Sequence, residues 1–212
     1  MTHILSMNIR GVGDAPKSNC LRNLLDDSSI NIFLAQETLC CREKAIDTFL
    51  GYKSGWCAVA TDSNGHSGGL IAIWNPAMAT FKAYRFFGGI LLLGQLRGME
   101  GHINIANMYA PYKDKQNFWN QMENSGIFML QNLILMGNLN FTLQSDEIWG
   151  ENGRMDPLSS SLLDLFAAHQ MSDIRPCPLM PTWSNKITGY QYIGKRLDRD
   201  IMKDNLIDSW DT

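Results

Sequence analysis

Ile30-Asn31-Ile32-Phe33-Leu34-Ala35-Gln36-Glu37 is an apolar run that stops on an amide and a carboxylate. Its density of Ile, Phe and Leu over Ile30–Ala35 reads as a strand buried on both faces, because a half-exposed strand alternates apolar with polar residues. The polar pair then falls at the strand end, where a layered α/β protein gathers functional groups in loops. Three further stretches share this design. Asn8 follows His3–Met7, Tyr109-Ala110-Pro111-Tyr112 follows His102–Met108, and Gly137-Asn138-Leu139-Asn140 follows Leu133–Met136. A carboxylate, a phenol and several amides converging from such strand ends suit a hard divalent cation and a phosphate.

Outward from these runs, short apolar segments alternate with helical spacing. Ile4–Asn8 reads as a strand. Ser18–Asp27 sets Leu21, Leu24 and Leu25 at helical intervals, with Ser18 as its cap. Arg42–Leu50 turns Ala45, Ile46, Phe49 and Leu50 inward. Trp56–Ala60 and Leu70–Trp74 are strands joined through Ser63-Asn64-Gly65. Phe81–Phe87, Ile90–Leu96 and His102–Met108 follow, punctuated by Gly88-Gly89 and Gly98–Gly101. Lys113–Met129 reads as one helix with Phe118, Trp119 and Met122 as core contacts. Leu158–Gln170 reads as another, starting at Ser159-Ser160-Ser161, and Ile201 lies on a strand after Asp198. Strands outnumber helices, and several succeed one another without a crossover helix. The expected fold class is α/β (α+β), with packed mixed sheets flanked by helices rather than one doubly wound sheet.

At 212 residues the chain has room for one domain with a substantial core, expected to span 1–212. A net charge of −3 argues against a strongly basic nucleic-acid binder, but not against a nuclease that borrows positive charge from a bound cation. The five cysteines are odd in number and lack a CxxC pair, which disfavours zinc and fits reduced thiols inside a cell. No apolar stretch is long enough to span a bilayer. Met1-Thr2 leads almost directly into a strand, leaving no room for a targeting sequence.

Each polar position also has a plainer reading. Glu37 alone is a solvated loop residue, Asn8 and Gly137–Asn140 are ordinary turn formers, and Tyr109 is an amphipathic ring over the core. Trp183, in Pro181-Thr182-Trp183-Ser184-Asn185, either stacks on a base or packs over the core edge. Lys186, Lys195, Arg196, Arg199 and Lys203, set against Asp198 and Asp200, form either a phosphate-facing strip or a solvated ion-pair strip. Arg196 and Asp198 share a face if the segment is extended. His3, His66, His102 and His169 show no metal-ligand spacing, and His169 falls near a helix C-terminus, where the partial negative charge suits it.

Taken in order, these motifs resemble the endonuclease/exonuclease/phosphatase superfamily, which includes deoxyribonuclease I, the abasic-site endonucleases and the endonuclease domains of LINE-type retrotransposons. The plant LINE subgroup is the best likeness. Its Trp-Asn start is similar to Met7-Asn8-Ile9-Arg10-Gly11, and its Gln-Glu-Thr to Gln36-Glu37-Thr38. Ser-Gly-Gly-Leu is at Ser67 to Leu70, Tyr-Ala-Pro at Tyr109 to Pro111, Thr-Trp-Ser-Asn at Thr182 to Asn185 and Arg-Leu-Asp-Arg at Arg196 to Arg199. The family's Gly-Asp-Phe-Asn stands here as Gly137-Asn138-Leu139-Asn140. The resemblance runs from residue 4 to Trp210.

The resemblance implies a four-layer α/β sandwich with two central mixed sheets and phosphodiester hydrolysis of DNA with one Mg²⁺ (or Mn²⁺). It implies Glu37 and Asn8 at the metal, Tyr109 and Asn140 on the scissile phosphate, position 138 on the attacking water and Asp198 orienting a His. Arg10, Trp183, Arg196 and Arg199 are the candidates for nucleic-acid contact, and the nucleus is the implied compartment. Two departures accompany it. Position 138 is Asn, which accepts a hydrogen bond but takes up no proton at neutral pH. The chain also reaches Thr212 before any Ser-Asp-His motif, so the expectation is a truncated sheet lacking its last strand, with self-association through the exposed edge. Three functions follow as alternatives: a diverged, impaired endonuclease domain of retroelement origin, a working phosphodiesterase using another base, or a non-catalytic nucleic-acid-binding domain.

Overall fold

A computed structural model describes residues 2–13, 15–65 and 67–210, with the backbone alone at 67 and 208–210. Met1, His66 and the end at Asp211-Thr212, all used in the sequence reading, lie outside the described residues. So do the side chains of Ser67 and Trp210.

The elements run β1 (His3–Asn8), α1 (Ala15–Leu25), β2 (Ile30–Gln36), α2 (Arg42–Tyr52), β3 (Cys57–Asn64), β4 (Ser67–Trp74), β5 (Ala79–Phe86), β6 (Gly89–Leu96), β7 (Ile103–Tyr109), α3 (Lys115–Asn124), β8 (Leu133–Asn138), β9 (Ile148–Trp149), α4 (Ser159–Ala168), β10 (Met171–Asp173), β11 (Trp183–Ser184), β12 (Gly194–Lys195), β13 (Asp198–Lys203) and α5 (Asp204–Trp210). They build an α/β sandwich with two mixed sheets, one in the order β1-β2-β4-β3 and one in the order β10-β13-β8-β7-β6-β5. A small third sheet, β11-β12-β9, was not visible in the sequence because its strands are two residues long.

The chain divides into two compact units, Met1–Tyr109 with Leu135–Gly137, and Ala110–Ile134 with Asn138–Thr212. In the first unit β2 is buried along its whole length. Phe33 and Ala35 face a core with Leu21 and Leu25 of α1 and Ala45 and Phe49 of α2. Alternation then turns Leu34 and Gln36 the other way. Covering both faces explains why the run is apolar on successive residues from Ile32 to Ala35, and each large side chain so buried contributes about 2 kcal/mol. Ser18 lies inside α1 rather than capping it, and its hydroxyl shares a 2.6 Å hydrogen bond with that of Tyr52.

The core of the second unit is aromatic. Trp119 meets Phe118, Phe141 and Phe166 edge-on, with ring centroids 5.4, 5.4 and 5.8 Å away. The single helix expected over Lys113–Met129 is two pieces. Asp114 is left-handed at φ +55°, so α3 starts at Lys115, and Gly126 at φ +74° ends it before a 3-10 turn at Ile127–Met129. His169 does sit at the C-terminal end of α4, with its ring stacked on Phe128 at 5.2 Å.

Candidate active site

Parallel pairing of β1 with β2 aligns Asn8 with Gln36, so Glu37 leaves its strand beside the end of β1. Asn8 Nδ2 donates to Glu37 Oε1 at 2.8 Å. Asn8 Oδ1 accepts the backbone N–H of Arg10 at 3.2 Å, which fixes the amide's orientation because the flipped form would set N–H against N–H. Asn8 therefore turns a donor toward Glu37 and orients its carboxylate.

The backbone around this pair is unusual. Glu37, Arg10 and Leu39 have φ of +55°, +49° and +54°. A left-handed conformation costs a non-glycine residue on the order of 1 kcal/mol, and residues held there cluster at functional sites. Cross-loop bonds hold it. Ile9 N–H donates to Gln36 O at 2.9 Å, Gly11 N–H to Glu37 O at 2.5 Å, and Thr38 N–H to Gly69 O at 3.0 Å. The side chain of Arg10 is exposed. Tyr109 is half-buried at the end of β7, its N–H on Gly88 O at 3.3 Å. Gly137 has φ +133°, and a Cβ there would lie 2.2 Å from Met108 O, so only glycine permits this approach.

In the second unit Asn138 ends β8 and is 6% exposed. Its Oδ1 accepts the Asn140 N–H at 3.1 Å, while Asn140 Nδ2 donates to Ala110 O at 2.6 Å. An aspartate at 138 makes the same bond to the Asn140 N–H, so the amide alters proton chemistry without altering the turn. Leu139 N–H donates to Leu197 O at 3.0 Å, and Thr182 Oγ1 accepts the N–H groups of Leu197 and Asp198 at 2.9 and 3.0 Å. Trp183, next to Thr182, is 37% exposed.

Arg196 and Arg199 correct the sequence reading. Neither belongs to a surface strip, since both are 2% exposed. Arg196 Nη1 donates to Glu147 Oε1 at 2.9 Å and also to Asp173, and Arg199 Nη1 donates to Glu147 Oε1 and Asp173 Oδ2, both at 2.9 Å. Glu147 is fully buried and also accepts the N–H groups of Leu143 and Gln144. A buried guanidinium must be paired, and these acids pair it, leaving it no reach to a phosphate. Sequence reasoning missed Glu147 and Asp173, because Ser145-Asp146-Glu147 looks like a solvated acidic turn.

No protein-family model and no curated protein matches the sequence. Solved structures do match it. The endonuclease domain of TRAS1, a telomere-specific non-LTR retrotransposon, superposes with a TM-score of 0.66 at 14% identity, covering 97% of this chain and 86% of that one. The AP endonuclease LMAP from Leishmania major gives 0.75 at 14% identity over 97% and 80% of the two chains. An AP endonuclease from Archaeoglobus fulgidus gives 0.70 at 15% identity over 98% and 89%. The fold is that of the deoxyribonuclease I-like nucleases.

At these identities the likeness is one of fold, and the chemistry must come from this chain's own residues. Glu37 in this deoxyribonuclease I-like frame is a single oriented carboxylate. Among the described residues no group of three or more His, Cys, Asp or Glu is arranged to hold a metal ion. That donor set fits Mg²⁺, which takes one or two carboxylates together with water and substrate oxygens, better than zinc, which takes nitrogen and sulfur. Among the described residues no helix is long and apolar enough to cross a membrane.

Proposed function

We propose that the chain is a DNA-acting phosphodiesterase domain of LINE-type retrotransposon origin, dependent on Mg²⁺ or Mn²⁺, with an impaired proton-transfer step. The observation that carries this is the Asn8–Glu37 pair, 2.8 Å apart at the ends of two parallel strands in a nuclease fold. Glu37 holds the cation, and Asn8 keeps its carboxylate turned correctly. When bound, the cation supplies positive charge against the charge that develops on the phosphate. Tyr109 donates its hydroxyl to a phosphate oxygen, and Asn140 is a phosphate-orienting residue of the second unit, each as the motif resemblance implies. Asn138 accepts a hydrogen bond from the attacking water through Oδ1 but takes no proton from it, a loss of roughly 10²–10⁴-fold where a general base is required. Asp198 stands where, by the motif resemblance, the carboxylate that orients a histidine would be. The order of the motifs and the match to a retrotransposon endonuclease domain support the origin. The five free cysteines suit an intracellular setting, the nucleus by the same origin.

A second function is favoured by the same Asn138: nucleic-acid binding without cleavage, through the exposed Arg10 and Trp183. Nicking of supercoiled plasmid in Mg²⁺ separates the two. Weak nicking by the wild-type chain, lost in Glu37→Ala and on chelation, supports the impaired enzyme. Salt-dependent DNA retention with no nicking, unchanged by Glu37→Ala, supports the binding domain.

A further inference from the structure

Asn107 is a wholly buried amide in the apolar strand β7, between Ala106 and Met108. Its Oδ1 accepts Gln36 Nε2 at 2.7 Å, and its Nδ2 donates to Ile71 O at 2.9 Å and to Ala35 O at 3.3 Å. Ala35 and Ile71 are cross-strand partners in the β2–β4 ladder, one pair before Gln36 and Leu70. Gln36 Nε2 also reaches Ser6 Oγ of β1 at 3.1 Å. One side chain from the facing sheet thus grips both strands of a ladder pair and the residue immediately before Glu37. The Gln36 amide is itself wholly buried, and Asn107 is its nearest partner, so the amide at 107 serves the side chain that adjoins Glu37. An apolar residue would have filled the same space and left that partner missing.

We propose that Asn107 is a positioning residue for Glu37. It pins the last pair of β2, so that Glu37 is held in its left-handed conformation with its carboxylate against Asn8. This role presupposes that Glu37 is the cation ligand. Hard-cation coordination tolerates little displacement, because Mg²⁺ demands near-ideal geometry at about 2.1 Å. If the clamp is released, Glu37 relaxes toward the extended conformation that a non-glycine residue prefers, and the carboxylate leaves the Asn8 amide. Loss of such a supporting contact typically weakens metal affinity about 10–100-fold.

The test is Mn²⁺ affinity of the full chain, read by electron paramagnetic resonance of free Mn²⁺, so that no turnover is needed. Four proteins are compared: wild type, Asn107→Leu, Glu37→Ala and Leu92→Ala. Leu92 is buried in β6 and its side chain makes none of the clamp's hydrogen bonds, so its truncation lowers stability without removing a bond of the clamp. Expected are loss of the site in Glu37→Ala, about 10–100-fold weaker binding in Asn107→Leu and wild-type affinity in Leu92→Ala. Wild-type affinity in Asn107→Leu with loss in Glu37→Ala overturns the positioning role alone. Equal weakening in Leu92→Ala and Asn107→Leu also overturns it, since stability would then explain both. Unchanged binding in Glu37→Ala overturns the assignment of Glu37 itself. If Asn107→Leu does not fold, Gln36→Met breaks the same link from the other side, with the same expected weakening and the same overturning result.

Discussion

Arg199 clasps Glu147 through both terminal guanidinium nitrogens, with neither side chain exposed to solvent. Breaking a buried pair from one side strands the other charge, which costs roughly 3–5 kcal/mol. Arg199→Ala and Glu147→Ala should each lower the unfolding free energy, read from denaturant titrations, by that amount. Replacing both with apolar residues of similar volume should recover most of it, because no charge is then left without a partner. A double variant as unstable as the singles would contradict this account of the network.

The same burial bears on DNA contact. Arg196→Ala should lower stability while leaving the salt dependence of DNA binding unchanged, since a guanidinium bonded to Glu147 and Asp173 neutralises no phosphate. Trp183→Ala should weaken binding by about 1–3 kcal/mol if the exposed indole stacks on a base. Fluorescence titrations at several salt concentrations measure both effects.

Two carboxyls in this region give stability opposite pH dependences. Burial works to raise Glu147, but the Arg199 hydrogen bond and charge, with the N–H groups of Leu143 and Gln144, outweigh it and hold the carboxyl at about 2. Its contribution is present above the ordinary value of 4.5 and is lost as pH falls toward 2. Asp200 is pushed up from 3.8 to about 6 by burial, with Arg196 opposing and Asp173 and Asp198 adding to the rise. Its folded form holds a proton more tightly, so that contribution is full below 3.8 and is lost as pH rises through about 6. Asp200→Asn should therefore match wild type near pH 4 and exceed it at pH 7, by about 3 kcal/mol at most. Urea midpoints at both pH values check this, and a constant offset between the two proteins would contradict it.

The strand ends were legible because each buried run is mostly apolar and a polar motif ends it. Ile30–Gln36 needed no tertiary knowledge. Arg196-Leu197-Asp198-Arg199 was not legible in the same way. Alternation says which residues share a face, but the partner that buries Arg196 lies 49 residues upstream at Glu147. The break in the helix over Lys113–Met129 depends on Gly126 adopting φ +74°, which apolar periodicity does not report. Asn107 left a faint signal, an amide late in a largely apolar strand that carries a second one at Asn104. Its three hydrogen bonds reach β2 and β4, more than thirty residues away in the chain.

Asn8→Ala separates orienting from binding in the Asn8–Glu37 pair. Removing the donor frees the carboxylate without removing it, so the Mn²⁺ Kd should rise by about 10-fold. Glu37→Ala should abolish the site. Isothermal titration of both variants measures this, and equal loss in the two would make Asn8 a ligand in its own right.

The most direct test concerns position 138. Asn138 Oδ1 already makes the hydrogen bond to the Asn140 N–H that an aspartate makes, so Asn138→Asp changes the proton chemistry and leaves the turn in place. Nicking of supercoiled plasmid in Mg²⁺ should rise by about 10²-fold or more in Asn138→Asp, and should vanish again in the Asn138→Asp, Glu37→Ala double variant. A folded Asn138→Asp protein that binds Mn²⁺ and nicks no faster than wild type would contradict the claim that an amide at this position is what holds the chemistry back.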